Sequence, residues 1–226
     1  MSVEDEKRRA VAEIETYLNS LRTARPSVAL AAGRSPKAAG TITEILAAGR
    51  RVFLRDGHAG LSLRKVAEEA GVAVGNVSYY FETKRALIEA VLAEALAEYV
   101  EEHLRHFEAE RQSPLEILLD VVTFYVSNAR QTHALFFHMW GFAASAPEAK
   151  ELIRKLYRPI GRFIYFLVRA ARPGASDTRV REIVLQLFSL EEGLKLFIGM
   201  GPDDNIALAT AETHVRDLAR RIILAD

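Results

Sequence analysis

The chain has 226 residues, 50% of them hydrophobic, enough for one sizeable core or for a small module joined to a larger one. Its 30 Lys and Arg balance 30 Asp and Glu, so net charge singles out no partner, although a neutral protein still binds DNA when its basic side chains cluster on one face. The absence of cysteine excludes disulfides and thiolate metal sites, and the charged run from Glu4 to Arg9 leaves no apolar signal segment, so the expectation is a cytoplasmic protein.

Strand alternation is weak and apolar residues recur every three or four positions almost throughout, so the expected fold class is all-α. No run approaches the about 18 uncharged apolar residues of a membrane span. The most hydrophobic stretches, Ala134–Ala146 and Phe163–Ala171, are too short, and no membrane partner is expected. Residues 3–22 read as an amphipathic helix, with Val3, Val11, Ile14, Tyr17, Leu18 and Leu21 roughly on one side. Linker composition follows to Gly40, and from Ser20 onward it carries Arg22, Arg25, Arg34 and Lys37 without an acid. This arm is either a solvated tail or a basic segment that lies along phosphates or in a minor groove.

The next helix is expected over about Thr41–Arg55, stopped by Gly57, with Asp56–Gly60 as a tight turn. Ser62 is a good N-cap for a short helix to Ala70, which Gly71 ends. A third helix covers about Val74–Tyr80 and a fourth about Lys84–Phe107, broken by Glu108–Pro114. Further helices are expected over about Pro114–Arg130, His133–Ala144 and Pro147–Ala171, the last with Pro159 inside it as a kink. The eighth runs from Ser176 or Asp177 to about Met200, and the ninth from about Asn205 or Thr210 to Leu224.

The informative stretch is Leu61–Lys84. Two short helices joined at Ala70-Gly71-Val72 suit a helix-turn-helix. Small Ala67 permits close approach, Gly71 supplies a left-handed turn residue, and Val66 and Phe81 belong to the scaffold. The second helix would project Val74, Gly75, Asn76, Ser78, Tyr79 and Tyr80 toward a major groove. Asn76 suits an adenine edge, and the tyrosines suit sugar, thymine methyl and phosphate. Ser62 and Arg64 sit where phosphates would pass, Arg64 also within range of a guanine, and Lys84 opens the fourth helix with a charge suited to phosphate.

These residues carry a resemblance. Ala48-Gly49-Arg50-Arg51-Val52-Phe53 with Gly57, then Leu63–Val72, then Tyr79-Tyr80-Phe81-Glu82-Thr83-Lys84 with Leu87, are similar to the TetR family of bacterial transcription regulators over about residues 41–92, without gaps. Two positions depart from the family pattern: Ser78 stands where tyrosine is frequent, and Tyr80 where histidine is usual. The resemblance implies that Ser62, Arg64, Val74, Gly75, Asn76, Ser78, Tyr79, Tyr80 and Lys84 contact double-stranded operator DNA. It also implies a C-terminal helical domain that binds a small-molecule effector and dimerises, and repression rather than activation. The expected organisation is an N-terminal extension over 1–40, a three-helix helix-turn-helix domain over 41–90, and a helical ligand-binding and dimerisation domain over 91–226.

Within that last region the eighth and ninth helices have broad apolar faces. Ile183, Leu187, Leu190, Leu194, Val215, Leu218 and Ile222 are the candidate homodimer interface, as a four-helix bundle between two subunits. Aromatic residues concentrate in the helices before them. Tyr125, Phe136, His138, Trp140, Phe163, Phe166 and Phe188 are the candidate walls of a mostly apolar effector pocket, with Asn128, Gln186 and Glu191 as further polar candidates. The expected function is therefore a DNA-binding regulator, a repressor released by a small, largely apolar ligand, with no cofactor and no metal.

Two alternatives remain at this level. One is a DNA-binding architectural protein without an effector. The other is a metal-dependent enzyme using His103, His106 and His133 with Glu102 and Glu108, although no catalytic triad, phosphate-cradling glycine loop or Glu-x-x-His repeat accompanies them.

Overall fold

The computed structural model describes residues 3–108, 113–201 and 210–225, and none of these residues forms a strand. The helices are α1 (Val3–Ala24), α2 (Pro26–Ala31), α3 (Pro36–Gly60), α4 (Leu63–Glu69), α5 (Val74–Tyr80), α6 (Lys84–Glu108), α7 (Pro114–Ser127), α8 (Ala129–Ser145), α9 (Pro147–Ala171), α10 (Asp177–Met200) and α11 (Ala211–Leu224). The all-α expectation holds, with an N-terminal helix-turn-helix and a helical remainder.

Local chemistry explains where the elements differ from the sequence expectation. The linker stretch before Gly40 holds α2 and the start of α3. Ser35 caps α3 by accepting from the Ala38 N–H at 3.3 Å, and Pro36 occupies a first-turn position where its missing N–H costs nothing. Asp56–Gly60 is a continuation of α3 rather than a free turn. Gly57 alone is non-helical there (φ 65°, ψ −174°), in a region essentially reserved for glycine. The helix expected to reach Arg130 breaks at Asn128, whose Nδ2 donates to the Phe124 carbonyl at 2.9 Å, and α8 starts at the next residue. The expected start at Asn205 lies outside the described residues, and α11 begins just after Thr210.

The chain divides into two compact units. One comprises residues 19–101 and 135–157. Its core is built from Ile42, Ile45, Leu46, Val52 and Phe53 of α3, Val66 of α4, Val77 of α5 and Leu87, Val91 and Leu92 of α6, all almost fully buried. Close packing decides one position: a Cβ on Gly49 would lie 2.5 Å from Val91 Cγ2, so only glycine admits this approach of α3 to α6. Leu135, Phe136 and Met139 of α8 are buried in the same unit.

The other unit comprises residues 1–18, 102–134 and 158–226. There α11 packs on α7, and α10 packs on both. Val180, Ile183, Leu187, Glu191, Lys195 and Ile198 form the buried stripe of α10. Arg216 pairs with Asp120 and Glu116, and Arg220 with Glu116 at 2.8 Å, tying α11 to α7. Ile14 and Leu18 of α1 are buried in this unit, and Tyr17 lies 6.2 Å from the Phe166 ring, where burial pushes its hydroxyl up to about 12.

Among the described residues no helix is long and apolar enough to cross a membrane. The side chains of Glu102, His103, His106 and Glu108 lie outside the described residues.

Candidate nucleic-acid interface

The turn between α4 and α5 follows from three residues. Ser62 caps α4, its Oγ accepting the Lys65 N–H at 3.2 Å while its backbone stays extended. At the other end Gly71 takes φ 64°. The Val72 N–H then reaches back to the Ala67 carbonyl at 3.0 Å and the Gly71 N–H to the Glu68 carbonyl at 3.2 Å, a Schellman closure that satisfies the last carbonyls of α4. Ala67 and Val66 are buried beneath it. The seven-residue α4 could not hold alone. Its outer side is fixed to α3 by Arg51–Glu69 and Arg55–Glu69, both 2.9 Å, and Lys65–Asp56 at 2.9 Å. Hydrogen bonds from Arg55 and Arg51 hold the Glu69 carboxyl below its ordinary range, and Lys65 and Arg55 do the same for Asp56. Such exposed pairs add little stability singly, but they set the orientation of α4.

In α5 only Val77 is buried, and Phe81 just beyond is buried too. Val74, Gly75, Asn76, Ser78 and Tyr79 are exposed, and Tyr80 is half-buried. Tyr79 stands out at 68% exposure, edge-on to Tyr80 with ring centres 5.0 Å apart. A Cβ on Gly75 would meet nothing within 4 Å, so this side of the helix is open to a large neighbour. Arg64 is exposed on α4. Two expected phosphate residues already have internal roles. Ser62 Oγ accepts the cap bond, which leaves its hydroxyl proton to donate. Lys84 donates from Nζ to the Ala59 carbonyl at 3.0 Å, holding the end of α3, and keeps two further protons. Thr83 is the cap of α6, accepting the Ala86 N–H at 3.0 Å. The arrangement offers an amide, a hydroxyl, two phenols and several cations along one short helix and its flanks, the donor and acceptor set that base edges and phosphates require.

Arg34, one of the cations of the arm read either as a solvated tail or as a DNA-contacting segment, lies at this surface. Its guanidinium lies 5.4 Å from the Tyr79 ring centre and 5.2 Å from that of Tyr80. The acid-free charge pattern of residues 20–40 gave the arm its sign, and the contact with Tyr79 and Tyr80 is what that pattern could not supply.

Residues 45–91 match the family model described as bacterial regulatory proteins, tetR family. The matched residues run from within α3 to α6 and include α4, the turn and α5. Solved structures share the fold of the chain. A transcriptional regulator of Pseudomonas aeruginosa superposes with a TM-score of 0.69 at 18% identity, covering 81% of this chain and 90% of that one. FadR of Bacillus subtilis, in complex with stearoyl-CoA, gives 0.66 at 17% identity, covering 81% and 98%. A TetR-family regulator of Mesorhizobium loti gives 0.68 at 14% identity, covering 84% and 98%. No curated protein sequence matches the chain. The α4–turn–α5 helix-turn-helix lies wholly within the residues that match this family model.

The residues expected to line an effector pocket are distributed over both units. Phe136, His138 and Trp140 lie in the unit of the helix-turn-helix, where the Phe136 and Trp140 rings are 6.2 Å apart. His138 is engaged there: its Nε2 is 3.1 Å from the Leu54 carbonyl oxygen. Tyr125, Phe163, Phe166 and Phe188 lie in the other unit. Tyr125 and Phe163 are core residues, with Lys195 Nζ 5.3 Å from the Tyr125 ring centre. Phe166 and Phe188 share a groove of about 630 Å³ with Gly161, Tyr165, Val184 and Leu185, and with Arg158, Arg162 and Arg181. The four-residue step from Arg158 to Arg162 on α9 was a readable sign of this basic edge.

Of the residues expected at a dimer interface, Ile183, Leu187 and Val215 are buried within the single chain and leave no surface for a partner. Leu190, Leu194, Leu218 and Ile222 retain accessible surface. Beside them Phe197, 70% exposed, and Met200, 60% exposed, are large apolar side chains in water.

Proposed function

We propose that this chain is a homodimeric transcription repressor that leaves its operator when a small ligand with a largely apolar body binds the unit built on α7, α9, α10 and α11. The observation that carries the DNA half is the exposed face of α5. Asn76 and Tyr79 stand in solvent on a helix whose opposite side, Val77, is fully buried. A helix that buries Val77 in its own scaffold and shows an amide and a phenol outward suits a DNA groove, the amide at a base edge and the phenol at backbone. In this reading Asn76 contacts a base edge, Val74, Gly75 and Ser78 lie against the groove, and Ser62, Arg64, Tyr79, Tyr80 and Lys84 meet backbone.

Dimerisation is placed on Leu190, Leu194 and Phe197, which follow one another at four and three residues on α10, with Leu218 and Ile222 on α11. Surfaces this apolar are uncommon in water unless a partner covers them. Two copies supply the two reading heads that half-sites about one helical turn apart require.

The effector is placed in the groove of Phe166 and Phe188. Its walls favour an apolar body, and Arg158, Arg162 and Arg181 favour an anionic head. FadR, of the same fold, holds an acyl thioester in its structure, which supports a long-chain acyl ligand as the first to test. Binding can lower DNA affinity only by as much as the ligand prefers the DNA-free state. The test is release of a bound operator duplex by stearate, with stearyl alcohol as the neutral control. Release by stearate alone fits the account. Tight operator binding unaffected by acyl and aryl acids alike favours an effector-independent DNA-binding protein instead.

A further inference from the structure

The N-terminal extension is built onto the reading head. Within the unit of residues 19–101 and 135–157, Arg25 pairs with Glu94 and Glu101 of α6. Ser27 donates to the same Glu94 carboxylate from its N–H at 2.9 Å and its Oγ at 2.8 Å. α2 packs on α3, and the capped start of α3 follows at Ser35. Between these two anchors Gly33 turns the chain at φ 71°. Arg34 then lies against Tyr79 and Tyr80, donating from Nη1 to the Tyr79 hydroxyl at 3.2 Å and from Nε to the Leu30 carbonyl at 2.9 Å. Both Arg34 and Tyr79 remain exposed.

We propose that the segment from Arg25 to Lys37 is part of the DNA-binding face, and that Arg34 grips a backbone phosphate beside Tyr79. The proposal rests on the reading of α5 as the groove helix. A guanidinium has five N–H donors, and the two bonds above leave three. Stacking on two tyrosines and a bond to Leu30 hold the planar fork in place, so little rotamer freedom remains to be lost on binding. Tyr79, accepting from Arg34, keeps its own proton for the same phosphate. Lys37, exposed in the first turn of α3, adds a second cation to the segment.

The geometry also selects the kind of contact. An arm that threads a minor groove must be loose and extended, whereas this one is helical over 26–31 and from Pro36, and is tied down at Arg25 and Ser27. A fixed cation at the flank of a groove helix meets phosphate, so its contribution is independent of sequence.

The test uses the full chain and two duplexes from one random-sequence pool, the sequence that the wild type enriches and one that it does not. Affinity is read between about 50 and 200 mM salt. Arg34→Gln is expected to weaken both duplexes by the same factor, about fivefold to tenfold near 0.1 M salt, and to lower the salt slope by about two, one for each protomer of the bound dimer. Arg34→Lys is expected to keep most of the slope, and Asn76→Ala to weaken only the enriched duplex. If Arg34→Gln leaves affinity and slope unchanged while Asn76→Ala still acts, the phosphate role is wrong and the reading of α5 stands. If Arg34→Gln binds more tightly, Arg34 masks Tyr79 and the proposal is overturned. If no sequence is enriched, or Asn76→Ala changes nothing, both fall together.

Discussion

His138 on α8 places its Nε2 atom 3.1 Å from the carbonyl oxygen of Leu54 on α3, one turn before the kink at Gly57. The His138 ring also stands edge-on to Phe53 at 5.8 Å, and His58 lies 5.3 Å from Phe142. α8 therefore packs directly on the helix that supports the helix-turn-helix, and it does so at the residue where that helix departs from regular geometry.

That contact depends on Gly57. A Cβ there would lie 3.1 Å from His138 Nδ1, and the backbone is in a region that side chains avoid. Gly57→Ala is expected to destabilise the protein by about 1–3 kcal/mol from backbone strain alone. His138→Leu, which removes the bond to Leu54 but keeps the bulk, should cost about 0.5–1.5 kcal/mol. Urea unfolding of the two variants measures both. A Gly57→Ala protein as stable as the wild type would show that the kink is not required.

Glu191 and Lys195 are buried one turn apart on α10. Burial pushes the Glu191 carboxyl well above its ordinary range and the Lys195 ammonium below its own. A folded-state carboxyl that is raised favours folding fully only below the unfolded value, and that contribution is lost as pH rises through the folded value. Stability carried by Glu191 thus falls on going from acid toward neutral pH, and Glu191→Gln should remove the fall. The melting temperature of Glu191→Gln relative to wild type is expected to be higher at pH 7 than at pH 4. A melting-temperature difference between Glu191→Gln and wild type that is the same at both pH values would show that Glu191 does not carry the fall.

Phe197 and Leu218 test the interface. Phe197→Glu with Leu218→Glu is expected to give a folded monomer with unchanged helical content and at least tenfold weaker operator binding, because one reading head is lost from each complex. Sedimentation and DNA titration on the same sample measure this. A double variant that remains dimeric would move the interface elsewhere.

The helix-turn-helix was legible because short-range chemistry dictates it. Ser62, Ala67, Gly71 and Phe81 each have a role that spacing alone assigns, and the structure places Ala67 and Phe81 in the core and Ser62 and Gly71 at the two ends of α4. The extension was not legible in the same way. Its charges are visible in sequence, but the bonds that fix it, Ser27 to Glu94 and Arg34 to Tyr79, join residues 67 and 45 positions apart. Helical periodicity on α10 was similarly ambiguous. The helix is apolar on more than one side, and only packing against α7 and α11 separates Ile183 and Leu187, buried in the chain, from Phe197, exposed.

The central claim is that α5 reads operator DNA, and the direct measurement is affinity selection of random duplexes by the full chain, compared with selection by Asn76→Ala. The account predicts a two-fold symmetric sequence with half-sites about one helical turn apart. It also predicts that Asn76→Ala relaxes preference at one base pair of each half-site, at a cost of about 1–3 kcal/mol. Enrichment of no sequence, or of the same sequence with the same affinity by both proteins, would contradict it.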